Sequence, residues 1–261
     1  MTILLYILLF FLGASIGSFY YNVSERILLY FYSPLRKNFS FIEKLTRLLL
    51  QKNQCSSCAH PLKLYQALPL AGYFLSRGKC QHCHNKIPIL HPVIELAFGF
   101  TLLFLFIISQ NILLSASVSF LFGHLLISAI TDYRYFSLDY ENLFFIILSG
   151  LVVIYQLDSF LQFSHFLVLA GFFAVYLALW IFFKKSIGFG DVLFAPFYAF
   201  ISGHPWWILF LNSSYVLAVF STLLLRKKGE SLKNRVIPMG VYLSAGLYLT
   251  LLAKIYFIYR V

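Results

Sequence analysis

The sequence predicts an all-α polytopic membrane protein with about eight transmembrane helices and a small cytosolic zinc-ribbon-like insert between the first and second spans. Three observations predict it. Hydrophobic residues make up 61% of the chain and charged residues only 11%, with a mean hydropathy of +0.83, far from the balance of a water-soluble domain. The apolar residues fall in runs close to the roughly 20 residues that a helix needs to cross hydrocarbon. The 20 Lys and Arg residues crowd into a few short segments between those runs. A net charge of +11 would suit nucleic acid, but charge segregated between apolar runs sets membrane orientation. The expected partner is lipid, and no nucleic acid.

Taken in order, spans are expected near 3–23, 93–109, 112–131, 142–157, 160–183, 192–203, 206–225 and 237–258. The stretch 192–225 is divided by Ser202-Gly203-His204-Pro205, and its first half is short and contains Pro196. Basic residues on both sides, Lys184-Lys185 and Arg226-Lys227-Lys228, require an even number of crossings there, hence a tight hairpin. The first run lacks a basic stretch before it, and positive charge follows it. It is read as a retained helix and not a cleaved signal peptide, although Gly13-Ala14-Ser15 offers small residues suited to cleavage. The organisation is a first transmembrane helix over 1–23, a cytosolic insert over 24–92 and a membrane domain over 93–261. No internal repeat or low-complexity tract stands out.

Orientation follows from the cations. The insert carries Arg26, Arg36, Lys37, Lys44, Arg47, Lys52, Lys63, Arg77, Lys79 and Lys86 against Glu25 and Glu43, and is expected to stay in the cytoplasm. Alternation from there places Arg134, Lys184, Lys185, Arg226, Lys227, Lys228, Lys233 and Arg235 on the same side, so 18 of the 20 basic residues obey one topology. Lys254 and Arg260 are the exceptions. The N-terminus is expected outside, in an inner or plasma membrane.

All four cysteines lie in the insert, as Cys55-Ser56-Ser57-Cys58 and Cys80-Gln81-His82-Cys83. Two C-x2-C turns some twenty residues apart have the spacing of a four-thiolate zinc site, which closes a tetrahedron and leaves no open position for catalysis. A structural zinc is expected; a pair of disulfides is the alternative, disfavoured by a reducing compartment. His60, His82 and His84 lie close by but are surplus to four thiolates. Gly78 suits the backbone turn entering the second knuckle. A module of this size gains from a metal, because its own core is marginal. Over 39–50, Phe41, Ile42, Leu45, Leu48 and Leu49 mark an amphipathic helix that either lies on the membrane or packs on the ribbon.

The expected chemistry rests on two acids. Asp132 ends the third span and Asp191 opens the sixth, within Gly188-Phe189-Gly190-Asp191. The topology brings both to the cytoplasmic boundary from helices 59 positions apart. A carboxylate at such a boundary marks a functional site. Alternatives for each are a helix-capping role for Asp191 and an ion pair of Asp132 with Arg134 or Lys184. Together, with Gly188 and Gly190 allowing close backbone approach, they suit an aspartyl protease dyad that shares one proton, one acid activating water and the other protonating a carbonyl. Asp139 and Glu141 precede the fourth span, where carboxylates commonly cap helices. Asp158 is expected outside.

The chain resembles the type IV prepilin peptidases, the GxGD membrane aspartyl proteases that cleave prepilin leaders. The resemblance rests on Gly13-Ala14-Ser15-Ile16-Gly17-Ser18-Phe19 with Asn22-Val23, the two knuckles with His60-Pro61-Leu62 and Leu68-Pro69-Leu70, Arg77-Gly78-Lys79-Cys80, and Pro92-Val93-Ile94-Glu95-Leu96. It implies Asp132 and Asp191 as the catalytic residues, and as substrate a pilin, pseudopilin or competence pilin precursor with a basic leader ending in Gly before a hydrophobic helix. It also implies methylation of the new N-terminal amine from S-adenosylmethionine, an activity linked to the cysteine-bearing insert. Glu95 is placed either in that second reaction, or binding the substrate's amine, or in the first turn of its helix. In place of the family's Pro after the aliphatic position, this chain has Leu138-Asp139, so the turn into the fourth span must be built differently.

Two rivals remain at this point. One keeps the peptidase and drops the methyltransferase; the other is a zinc-stiffened scaffold or carrier, which would place its acids near the bilayer midplane. The choice of pilin, the pathway and the oligomeric state are not encoded in these patterns.

Overall fold

The computed structural model describes residues 2–32, 40–51, 53–55, 57–58, 60–158, 160–183, 187–226 and 236–260. Several cations used for orientation, Arg36, Lys37, Lys52, Lys184, Lys185, Lys227, Lys228, Lys233 and Arg235, lie outside them, as does Phe39. Seven helices are long and apolar enough to cross a membrane, and an eighth apolar helix is shorter. This is a multi-pass membrane protein, all helical among the described residues apart from two isolated β-bridges. It divides into two compact units, 1–123 and 124–261.

The first unit contains α1 (Thr2–Ile27), α2 (Phe41–Leu50), α3 (Ala71–Leu75) and α4 (Leu90–Ser109). Small residues draw α1 and α4 together. A Cβ on Gly13 would sit 2.5 Å from Phe98 O, one on Gly17 would sit 2.8 Å from the Phe98 side chain, and one on Gly99 would meet Phe10 at 2.7 Å. Backbone approach of this kind is how apolar helices gain packing energy where no hydrophobic drive separates protein from lipid. Leu102 and Leu105 are fully buried in the unit.

The amphipathic expectation materialises as α2. Ser40 and Glu43 form a reciprocal capping box: Ser40 N–H donates to Glu43 Oε2 at 2.9 Å and Glu43 N–H donates to Ser40 Oγ at 3.3 Å. Its basic residues face aromatic rings, Lys44 at 5.1 Å from the Phe31 ring and Arg47 at 5.8 Å from Tyr30. Ile42 and Leu50 stay 75% and 77% exposed.

The two knuckles are built alike, a repetition too divergent to register in sequence. In the first, Leu62 N–H donates to Asn53 O and Cys55 N–H to His60 O, each at 2.9 Å; in the second, Ile87 N–H donates to Gly78 O at 2.8 Å and Cys80 N–H to Asn85 O at 2.9 Å. The rungs superpose on a shift of 25 positions. Gly78 has a φ of +65°, the left-handed turn expected of it.

The second unit takes the end of α5 (Ile112–Tyr135) with α6 (Tyr140–Asp158), α7 (Phe163–Phe182), α8 (Phe189–Ser202), α9 (Trp207–Leu224) and α10 (Met239–Arg260). The expected hairpin is present as α8 and α9, broken at 203–206. α8 has only 14 residues, yet it packs against α6, α7, α9 and α10, and Phe194, Ala195, Tyr198 and Ala199 are fully buried. A helix wrapped by its neighbours has no need to match the bilayer in length. The turn that lacks the family's Pro is made by Phe136, with φ +50°, and by Asp139, whose Oδ1 accepts Glu141 N–H at 3.1 Å.

One basic exception to the topology is explained by packing. Lys254, 2% exposed, donates to Asp158 Oδ2 at 2.7 Å and to Ser202 O at 3.2 Å, and His165 Nε2 lies 3.4 Å from the same carboxylate oxygen. Lys254 is the buried half of an ion pair and carries no free charge for the membrane to sort.

Candidate functional site

A cavity of about 830 Å³ opens in the second unit and is lined by both Asp132 and Asp191. Helix ends deliver them. Asp132 lies in the last turns of α5 and is 7% exposed; Asp191 is the third residue of α8, whose first residue follows Gly188. The two carboxyls are close enough to act on each other electrostatically. The cavity wall also includes Leu138, Gly188, Gly190, Met239, Tyr176 and Tyr215.

Local packing accounts for the glycines. A Cβ on Gly190 would sit 3.1 Å from Leu138 Cδ1, so this glycine admits the Leu138 side chain more than it supplies flexibility. Gly188 has an ordinary φ of −71° and stands at the N-cap of α8, where its carbonyl accepts Asp191 N–H at 3.1 Å.

The sequence did not single out Gly240, which touches Asp132, nor Tyr176 and Tyr215 in the cavity wall. Gly240 donates its backbone N–H to Asp132 Oδ2 at 2.7 Å. Pro238 two positions earlier was the available signal, since Pro followed by an apolar run opens a helix whose first amides need an acceptor. Tyr176 and Tyr215 bring their hydroxyls within 3.1 Å of each other; in a chain with 18 Tyr no pattern distinguishes them.

The first unit holds the cysteine cluster. The four sulfurs lie within 4.8 Å of one another, Cys55 to Cys83 at 3.8 Å and Cys58 to Cys80 at 3.9 Å. A tetrahedral ion with bonds of about 2.3 Å sets sulfurs about 3.8 Å apart, whereas a disulfide needs about 2.05 Å. The donor set and spacing fit a metal ion. Backbone N–H groups of Cys83 and His82 directed at the Cys80 sulfur hold that thiol below its usual value. His60 and His82 stack on each other at 4.4 Å and are exposed, as is His84.

Glu95 is not in the first turn of its helix: α4 starts at Leu90, which places it in the second turn. It is 5% exposed, accepts Leu70 N–H at 2.7 Å, and lies 3.4 Å from His91 Nδ1. It lines a separate cavity of the first unit, with Ser18 and Asn22.

Comparison with known proteins fits this division. Residues 11–109 match the family model described as the bacterial peptidase A24 N-terminal domain, and residues 119–223 match the type IV leader peptidase family. A prepilin leader peptidase/N-methyltransferase of Stutzerimonas stutzeri is 27% identical over 227 residues, covering 78% of this chain and 73% of that protein. One from Legionella pneumophila is 27% identical over 215 residues, covering 75% and 70%. One from Neisseria gonorrhoeae is 44% identical over 45 residues, 17% of this chain and 16% of that protein. No solved structure gives a significant match. With both of its parts matched in order along one chain, the protein belongs to the type IV leader peptidase family.

Proposed function

We propose that the protein is an aspartic endopeptidase that removes the basic leader from type IV prepilin-like precursors at the cytoplasmic face of the inner membrane. The observation that carries this reading is the pair of carboxyls, Asp132 and Asp191, from separate helices on one cavity. In the ground state one carboxyl is ionised and takes a proton from water, and the other is protonated and donates to the scissile carbonyl. Amide hydrolysis follows with no covalent intermediate. The hydrogen bond from Gly240 keeps Asp132 oriented, and Leu138 sets the spacing of the helix starts around it. A precursor with a cytosolic basic leader and a membrane-embedded stem presents its junction at the boundary where these helices end.

Zinc is the ion that suits the four thiolates; with all four positions taken by protein, it would stiffen the insert and do no chemistry. The second half of the relatives' name brings N-methylation of the newly exposed amine, with S-adenosylmethionine as donor.

Cleavage of a purified precursor by the full-length protein in lipid, followed by N-terminal sequencing of the product, tests the peptidase. Asp132→Asn and Asp191→Asn are each expected to lower the rate by at least about 10²–10⁴-fold while insertion is kept. Near wild-type cleavage by either variant removes the dyad.

A further inference from the structure

Two hydroxyls on the wall of the aspartate cavity hold one hydrogen-bond donor more than they use between them. Tyr176 on α7 and Tyr215 on α9 meet with their oxygens 3.1 Å apart, and both line the cavity that Asp132 and Asp191 share. We infer that Tyr215 donates a hydrogen bond to the carbonyl oxygen of the scissile peptide, and that Tyr176 is the positioning residue that aims it. The inference rests on the reading above, in which the dyad hydrolyses that peptide, and gives the reaction a donor besides the two acids.

A pair of hydroxyls has two O–H donors, and the bond between them occupies one. Among the described residues neither hydroxyl has a further hydrogen-bond partner, so one donor is left for whatever enters the cavity. Burial decides which. Tyr176 is only 4% exposed, and a hydroxyl so enclosed directs its proton to the partner at hand. Tyr215 is 42% exposed and keeps its own proton for the cavity. Accepting the bond from Tyr176 polarises the Tyr215 hydroxyl and strengthens it as a donor. Neighbouring rings hold the pair in place. Phe172, one turn before Tyr176, stacks on it with ring centres 6.2 Å apart, and the same Phe172 meets Trp207 at 5.7 Å and Phe210 at 6.4 Å, both on the helix that carries Tyr215. Tyr176 also lies within electrostatic reach of Asp191, so the hydroxyls and that acid are neighbours in the cavity.

The chemistry has room for such a donor. A carbonyl oxygen has two lone pairs, and the protonated acid of the dyad occupies one. As the water oxygen bonds to the carbonyl carbon, the C=O π pair moves onto that oxygen. A fixed hydroxyl stabilises the charge as it develops, with no reorganisation at the moment of reaction. Tyr215 keeps its proton throughout, so the acid–base steps remain those of the two aspartates. Phenylalanine would fill either tyrosine position equally well, and the hydroxyls are what the packing alone does not require.

The test uses the full-length protein in lipid nanodiscs cleaving a purified precursor, with kcat and KM read separately and thermal midpoints reporting the fold. Tyr215→Phe is expected to lower kcat about 10²-fold with KM changed by less than about twofold. Tyr176→Phe is expected to lower kcat about fivefold. Combined with Tyr215→Phe it should add no further loss, because it acts through the hydroxyl already removed. The double variant strands no hydroxyl, so it keeps the wild-type midpoint and still shows the loss of about 10²-fold. If Tyr215→Phe cleaves with kcat within about threefold of wild type, or loses only in KM, this inference fails and the peptidase reading stands. Equal losses from Tyr176→Phe in both backgrounds overturn the part given to Tyr176. A wild-type protein that cleaves no precursor overturns the peptidase reading, and this inference with it.

Discussion

Gly240 and Asp132, 108 positions apart, are joined by a backbone N–H donated to a carboxylate oxygen at 2.7 Å. The amide is among the first four of α10, which have no partner inside their helix, so one contact both satisfies a helix end and fixes an acid. Positive dipole density at that helix start suits a negatively charged acceptor. Alignment of the proposed dyad therefore depends on the last helix of the chain, which carries neither aspartate.

Substitution at this point should act on chemistry more than on folding. A Cβ on Gly240 would lie 2.6 Å from Leu138 Cδ2 and 3.0 Å from Asp132 Oδ2. Gly240→Ala is expected to slow leader cleavage by about 10²-fold, because displacement of a reacting group by about 1 Å has that effect. Adding Leu138→Ala should restore part of the rate by freeing one of the two contacts. Steady-state kinetics of the single and double variants decide it; wild-type kcat in Gly240→Ala would show that the contact does not position Asp132.

The cysteine cluster predicts metal content directly. Protein purified without chelator should hold about one zinc per chain, and Cys55→Ser or Cys80→Ser should lose most of it, read by elemental analysis. His82→Ala should keep its zinc, since the histidines stack on each other and sit outside the cluster. Full occupancy in the cysteine variants would rule out the four-thiolate site.

The ion pair at the opposite end of α8 and α10 bears on stability. Lys254→Met leaves the partly buried charge of Asp158, 16% exposed at its side chain, poorly matched, and is expected to destabilise by about 1–3 kcal/mol. Lys254→Met combined with Asp158→Leu should recover most of that loss, because replacing both partners removes the stranded charge. Unfolding midpoints in detergent for the two singles and the double measure the coupling; strictly additive losses would argue that the two charges act independently.

Much of the architecture is legible in the sequence because lipid enforces a simple rule, that apolar runs near bilayer length become helices. The break at 203–206 and the two aspartates at helix ends follow from the same rule with charge added. What escaped was set by three-dimensional neighbours. Lys254 reads as a misplaced cation until Asp158, 96 positions away, is seen to neutralise it. Glu95 reads as a helix-start acid because one extra turn of α4 before it, from Leu90, has no capping signature in the sequence. The matching of the two knuckles lies in backbone rungs, and Asn53-Gln54-Cys55 and Gly78-Lys79-Cys80 share only their cysteine. Gly240 had only the indirect signal of Pro238, and the tyrosines of the cavity wall gain meaning only from what they touch.

The brevity of α8 has a consequence for solvent. Its 14 residues extend about 21 Å, against roughly 30 Å of hydrocarbon in a typical bilayer. Neighbouring helices sheathe it, so its backbone is covered by protein along its length. The cavity at the start of α8, lined by Asp132 and Asp191, is the space through which water would reach the acids.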